Sequence, residues 1–298
     1  MNIIGKKYLY FLISVLVIIP GLVSLFLFGL NFSIDFTGGS RIAYQVTKSQ
    51  VKSEQLKSAI QKKGVEVQAI QKSGKDVYIV RTKPMDIKIH ERITKELTQE
   101  INGLKEISFE TVGPVIGSEI TTNAIKAVIL SSVLIVLYIA WSFRKVPKPA
   151  SSWRFGICAI IALLHDVLVV IGIFSILGHF WHVEVDSLFV TALLTIIGFS
   201  VHDTIVVFDR IRENLRISGA YNFNTVVNDS IIQTLGRSLN TSLTVILVLF
   251  TLLLFGGEST KWFVVALLIG ITSGTYSSIF NAAPLLVVWE EWSRKRKT

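Results

Sequence analysis

Residues 187–214 read SLFVTALLTIIGFSVHDTIVVFDRIREN, and the character of the whole chain can be worked out from this stretch. From Ser187 to Phe208 it is apolar over the ~20 residues that a helix needs to cross a hydrocarbon core of about 30 Å. Inside the block sits His202-Asp203, a pair that is expensive in lipid unless it is partnered or faces water. The block ends in Asp209-Arg210-Ile211-Arg212-Glu213-Asn214, whose alternating charge continues the helix onto a membrane surface, against headgroups or a partner. Five further blocks of similar kind occur, from Tyr8 to Leu30, Ile120 to Phe143, Phe155 to Gly178, Ser238 to Phe255 and Trp262 to Trp289. The sequence therefore predicts an α-helical membrane protein with six spans.

Composition agrees with this reading. Of 298 residues, 51% are hydrophobic and only 17% charged, against about 25% charged in ordinary soluble domains. A soluble enzyme and a disordered chain are both excluded. The single cysteine, Cys158, lies inside a block, so no internal disulfide or multi-cysteine metal site can form. The first block follows Lys6 and Lys7 like a secretory signal. It is longer than the usual signal core and lacks a small-x-small cleavage site before Asn31, which favours an uncleaved first span.

The net charge of +9 raises the question of a nucleic-acid partner, and the positions of the charges answer it. Lys6, Lys7, Arg144, Lys145, Lys148, Arg154, Arg210, Arg212, Arg216, Arg237, Arg294, Lys295, Arg296 and Lys297 all fall on one side of a six-span layout. The opposite short loops hold Glu184, Asp186, Glu258 and Lys261. By the positive-inside rule both termini are expected in the cytoplasm. The basic surplus thus reads as topology and contact with anionic membrane lipid, with no nucleic acid. Lys126 reads as a snorkelling lysine. The expected organisation is a cytoplasmic N-terminus and first span over 1–30, an extracytoplasmic domain over 31–117, a five-helix bundle over 118–289 and a basic cytoplasmic tail over 290–298.

Between the first and second spans the period changes. Strands are expected at Arg41 to Val46, Val65 to Ile70, Asp76 to Val80 and Glu106 to Thr111, with a turn at Ser73-Gly74. Helices are expected at Val51 to Lys63, with Leu56 and Ile60 inward, and at Asp86 to Ile101, with Ile89, Ile93 and Leu97 inward and His90 exposed. The order β-α-β-β-α-β is the ferredoxin-like pattern, so the fold class is a multi-spanning α-helical membrane protein carrying an α+β domain. That domain reads as an interaction surface for a partner or an extended chain. At its entrance, Asn31 to Gly39 includes Asp35, which can cap backbone N–H groups, and Gly38-Gly39, which permit a tight turn. Gly113-Pro114-x-x-Gly117 marks the return to the bilayer.

Ionisable groups inside spans are functional candidates. His165-Asp166 lies near mid-bilayer in the third span and His202-Asp203 in the fourth. In the fifth, Gln233, Arg237, Asn240, Thr241 and Thr244 recur at helical spacing and form a polar stripe directed toward other helices. Arg237 stands at the inner edge of its span, where snorkelling to the interface is the alternative to an inward partner, and the opposite charges suggest Asp203 pairing with Arg237. Burial and a nearby guanidinium act in opposite senses on a carboxyl's proton, so such a pair can take and release a proton as its geometry changes. A static salt bridge holding the bundle together is the plainer alternative. The sixth span adds Gly270, Ser273, Gly274, Ser277, Ser278 and Asn281, a face of small residues read as a packing seam, with a water-filled path as the sharper alternative.

With Asp35-Phe36-Thr37-Gly38-Gly39, the run Gly198 to Asn214, Gln233 to Ser242 and Gly274 to Ser278 in view, the chain resembles, over its whole length, bacterial protein-export membrane proteins of the SecD/SecF family, on the SecF side. The resemblance implies an RND-like half and a SecD partner forming a heteromer. It also implies work with the SecYEG channel, the SecA motor and YajC on a translocating preprotein, aided by the proton motive force. It puts functional weight on the fourth-span Asp and fifth-span Arg, which fall on Asp203 and Arg237; Asp166 and His202 are further relay candidates. Asn281 departs from the apolar residue expected there. The runner-up is an RND-like proton-coupled exporter of small molecules or lipids, which usually carries both six-span halves in one chain. A metal enzyme built on the two His-Asp pairs is disfavoured, because adjacent residues diverge by about 100° around a helix. Gly-x-Ser-x-Gly and phosphate-loop motifs are absent, so neither an enzyme nor a cofactor is expected.

Overall fold

The computed structural model describes residues 1–47, 51–73, 76–144, 151–218 and 222–296. Along the chain come α1 (Lys7–Phe28), the short α2 (Ile34–Thr37), β1 (Gly39–Val46), α3 (Ser53–Lys62), β2 (Val67–Ser73), β3 (Val77–Thr82), α4 (Ile87–Glu100) and β4 (Leu104–Val112). The long helices α5 (Pro114–Ser142), α6 (Ser152–Trp181), α7 (Ser187–Ser218) and α8 (Phe223–Phe255) follow. The last helices, α9 (Lys261–Ser277) and α10 (Ala283–Lys295), join through a π-helical turn at Ser278–Ala282. Among the described residues six helical segments are long and apolar enough to cross a membrane: Ile4–Phe28, Pro114–Ser142, Ser152–Trp181, Ser187–Ile217, Phe223–Phe255 and Glu258–Lys295. Most outrun their apolar blocks, because the block measures the hydrocarbon while the helix continues into the polar layers. Lys145, Lys148 and Lys297 of the basic segments, and Gly74 of the expected turn, lie outside the described residues.

The chain divides into two compact units. One comprises Met1–Leu30, Ala127–Val183 and Leu188–Thr298; the other comprises Asn31–Lys126 with Glu184–Ser187.

Within the apolar part of α1 the residues turned inward are the small ones. Helix α1 buries Ser14, Gly21 and Ser24 and leaves Leu12, Leu16, Ile19 and Leu27 exposed. Lipid tails are as apolar as leucine, so burying leucine gains little, whereas small residues let backbones approach. A Cβ on Gly21 would lie 2.8 Å from the Gly172 Cα of α6. Beside this crossing the Ser24 and Ser175 hydroxyls are 2.9 Å apart, and Ser175 donates to the Gly29 carbonyl at 2.7 Å. Ser14 and Asn281 exchange hydrogen bonds at 3.0 and 2.8 Å. The polar residue at position 281 is thus satisfied by its partner across the seam. Lower in the bundle, Phe143, Phe155 and Phe208 pack ring against ring, with centroids 4.9 to 5.7 Å apart. Glu290 is clamped by Arg154 and Arg294, and Lys7 holds both oxygens of Glu291 at 2.6 Å.

The α+β unit has one antiparallel sheet of order β2-β3-β1-β4. Alternation along β1 sends Ile42, Tyr44 and Val46 inward against Leu56 and Ile60 of α3 and Ile93 and Leu97 of α4. Burial pushes the Tyr44 phenol up to about 12, although it shares a 3.0 Å hydrogen bond with Thr94. On α4 the expectation was wrong about two neighbours. Ile89 is 41% exposed, and His90 is buried, stacked on Phe109 at 3.7 Å with its Nε2 3.0 Å from Glu106. The inward face runs through 90, 93 and 97, and position 89 lies about 75° from the centre of that face.

Candidate functional site: acids among hydroxyls inside the spans

Among the described residues of the membrane unit three carboxyls are buried; Glu290 is paired with arginines, while the other two, Asp166 and Asp203, have no arginine or lysine partner and differ in their surroundings. Asp166 on α6 is fully buried. Its Oδ1 accepts from Ser273 Oγ at 2.8 Å and lies 3.0 Å from His165 Nδ1. Its Oδ2 accepts from Ser200 Oγ at 2.5 Å and Ser277 Oγ at 2.6 Å. Helices α6, α7 and α9 therefore meet on one carboxyl. Gly274 allows this, since a Cβ there would sit 3.1 Å from the Ser200 Cβ and 3.6 Å from Asp166 Oδ2.

Asp203 on α7 is 2% exposed, and its Oδ2 is buried without a hydrogen-bond partner. Facing this carboxyl are Ser242 of α8 and Thr275 of α9, whose hydroxyls lie 2.5 Å apart. One residue along, Thr204 and Ser278 hydroxyls are 3.1 Å apart. The small-residue face of α9 and the π-turn thus serves both acids.

Arg237 is not in this seam. It is exposed, and no ion pair joins it to Asp203 among the described residues. The inward pair that the sequence suggested is thus not formed in this structure. The buried face of α8 carries Ser230, Thr234, Ser238 and Ser242, four apart, whereas Gln233, Arg237, Asn240, Thr241 and Thr244 are all exposed. Two polar stripes run along α8, and the weaker, hydroxyl-bearing one is the inward one. Gln233 accepts from Arg210 Nε at 2.5 Å and from Asn214 at 2.9 Å, while Thr241 and Thr244 bond back to their own helix at 2.9 and 2.8 Å. On α7, His202 is exposed beside buried Asp203. Sequence reasoning missed Ser200 and Ser242 altogether. The usable signal was position, since Ser200 precedes Asp203 by three and Ser242 continues the 230, 234, 238 line.

At the junction motif, Ser33 caps α2 by accepting from the Asp35 N–H at 3.2 Å. Asp35 Oδ2 accepts from the Ser187 N–H at 3.0 Å and from its hydroxyl at 2.7 Å, which caps the first residue of α7. Gly38 and Gly39 have φ of 69° and 137°, and a Cβ on Gly39 would stand 2.9 Å from the Thr82 carbonyl. Glycine is required there by both conformation and space.

The chain is similar to known proteins along nearly all of its length. Residues 92–292 match the family described as protein export membrane protein SecD/SecF, C-terminal, and residues 23–50 match the SecD/SecF GG motif. The protein translocase subunit SecF of Thermobaculum terrenum is 48% identical over 97% of this chain and 94% of its own length. That of Anaerolinea thermophila is 43% identical over 98% of this chain and 96% of its own. The crystal structure of SecDF from Thermus thermophilus, a translocon-associated membrane protein, superposes with a TM-score of 0.84 at 35% identity, covering 98% of this chain and 39% of that one. With six spans, an α+β domain entered through the Gly-Gly motif and this match along nearly all of its length, the chain belongs to the SecD/SecF family of protein-export membrane proteins, on the SecF side.

Proposed function

We propose that the chain is an auxiliary subunit of the Sec export machinery that, with a SecD partner, uses the proton motive force to promote preprotein translocation across the bacterial cytoplasmic membrane. The observation that carries this reading is Asp203, buried within a span with one oxygen unpartnered among hydroxyls. An ionised carboxylate so placed is costly until it takes a proton or meets a cation. The cation at hand is Arg237, and this chain leaves it on its surface together with His202, Asn240, Thr241 and Thr244. Against lipid, an arginine and a histidine at that depth are expensive, so this face is one that another membrane protein covers. The matched SecDF molecule carries further chain beyond the 39% aligned here, which supports SecD as that protein.

In this reading Asp203 and Arg237 form the relay, with Asp166 and His202 as further members. The termini are cytoplasmic, and the α+β domain of 31–117 faces outward. SecYEG, SecA and YajC are the further partners that the resemblance implies. Asp203→Asn should abolish the gradient-dependent part of preprotein export in membrane vesicles, with insertion and SecD co-purification retained. Wild-type gradient dependence in that variant would overturn the reading.

A further inference from the structure

Glu184–Ser187, the end of the connection from α6 and the first residue of α7, belong to the same compact unit as the sheet. The contacts are specific. Val185 donates its N–H to the Asn31 carbonyl at 2.7 Å and accepts from the Ser33 N–H at 2.8 Å, a parallel bridge opposite Phe32. Glu184 pairs with Arg81 Nη2 at 2.8 Å, and the same nitrogen donates to the Phe32 carbonyl at 2.7 Å. Asp35 takes the N–H and hydroxyl of Ser187. Arg81 lies on β3 directly opposite Arg41 of β1, and Asp35 lies in the short helix α2 that leads into β1. The segment is therefore fastened to the two central strands.

A connection between spans requires none of this, since a loop of this length can close with its backbone in water. The effect is to remove slack. Helix α7 starts at Ser187, where a carboxylate holds its N-terminus, and runs without a break through Asp203. We infer that the clasp of Glu184–Ser187 on Asp35 and Arg81 passes movement of α7 to the α+β domain, making Asp35 and Arg81 positioning residues for proton-driven export. This rests on the proton-coupled reading above. A rotation or shift of α7 that follows a change at Asp203 is delivered to the middle of the sheet instead of being absorbed in a loop.

The test uses the full chain with its SecD partner in translocating membrane vesicles, comparing export with and without a proton gradient. Asp35→Ala combined with Arg81→Met removes the side-chain half of the clasp. Phe32→Cys with Val185→Cys, placed in the same background, replaces it by a disulfide. The quadruple variant, assembled oxidised, should show the wild-type gradient response. Reduction in place should lower that response at least about fivefold, the lower end of ordinary inter-site coupling, without loss of the bound partner. An unchanged response after reduction, or a low response that oxidation does not restore, overturns the inference. Asp203→Asn, run alongside, separates the two claims. If it abolishes the gradient response while the reduced clasp variant keeps it, only the clasp fails; if Asp203→Asn itself is neutral, the proton-coupled reading fails.

Discussion

Removing the Asp166 carboxyl tests whether the hydroxyl seam is what holds α6, α7 and α9 together. Asp166→Leu keeps roughly the volume and strands four donors: the His165 ring nitrogen and the hydroxyls of Ser200, Ser273 and Ser277. Each buried donor left without a partner costs about 1–3 kcal/mol in water-soluble proteins. Between membrane helices the average is nearer 0.6 kcal/mol, because the separated helices also find partners. The four together then span about 2.4 kcal/mol at the membrane average to several times that if none relaxes, and about 3–6 kcal/mol is the expected loss. Ser277 has an escape, a second acceptor in the Gly274 carbonyl at 3.2 Å, which argues for the lower half of the range. Asp166→Asn should cost much less, about 1–2 kcal/mol. Its oxygen can keep His165 and Ser273, and its amide can donate to Ser200 and Ser277 if those hydroxyls turn round. The assay is reversible unfolding of the purified chain in mixed micelles, followed by tryptophan fluorescence. A loss below about 1 kcal/mol for Asp166→Leu would refute the seam as a stabilising element, since it would fall under even the membrane average for four bonds.

Two other perturbations follow from the geometry. Gly172→Ala puts a methyl 2.7 Å from the Gly21 Cα, so α1 and α6 must separate; a loss of about 1–3 kcal/mol is expected by the same unfolding assay, and an unchanged midpoint would contradict the close crossing. Burial pushes the Glu184 carboxyl above its ordinary range despite Arg81 and Arg41, with Asp186 adding in the same upward sense. Its protonated form is thus favoured by folding: this contribution is complete below about pH 4.5 and is lost as pH rises through the raised value. Amide hydrogen exchange at Val185 and Ser33, corrected for intrinsic rates, should therefore show protection falling from pH 4.5 toward neutrality, and Glu184→Gln should flatten that slope. A slope unchanged by Glu184→Gln would remove Glu184 as its source.

Much of the architecture was legible before any coordinates. Span length and the absence of charge over each block are one-dimensional properties, as is the alternation that turned Ile42, Tyr44 and Val46 inward. The partners of the acids were less legible. In lipid the usual rule of apolar inside fails, so an exposed leucine and a buried serine on α1 or α8 carry no penalty that a hydropathy pattern would register. His90 illustrates the same limit in the α+β unit, where a polar residue went inward because a ring and a carboxylate stood ready to receive it.

What the sequence determined by itself was the six spans, the β-α-β-β-α-β order, the need for glycine after Thr37, and the presence of Asp166, Asp203 and Arg237 in or beside spans. Only the tertiary structure decided which stripe of α8 faces inward, that Asp166 gathers donors from three helices while Asp203 keeps a bare oxygen, and that Asp35 caps α7 from far away in sequence. The reason is physical. Periodicity states which residues share a face of one helix, whereas the neighbour that face meets depends on crossings such as Gly21 on Gly172, set by small residues on two helices at once.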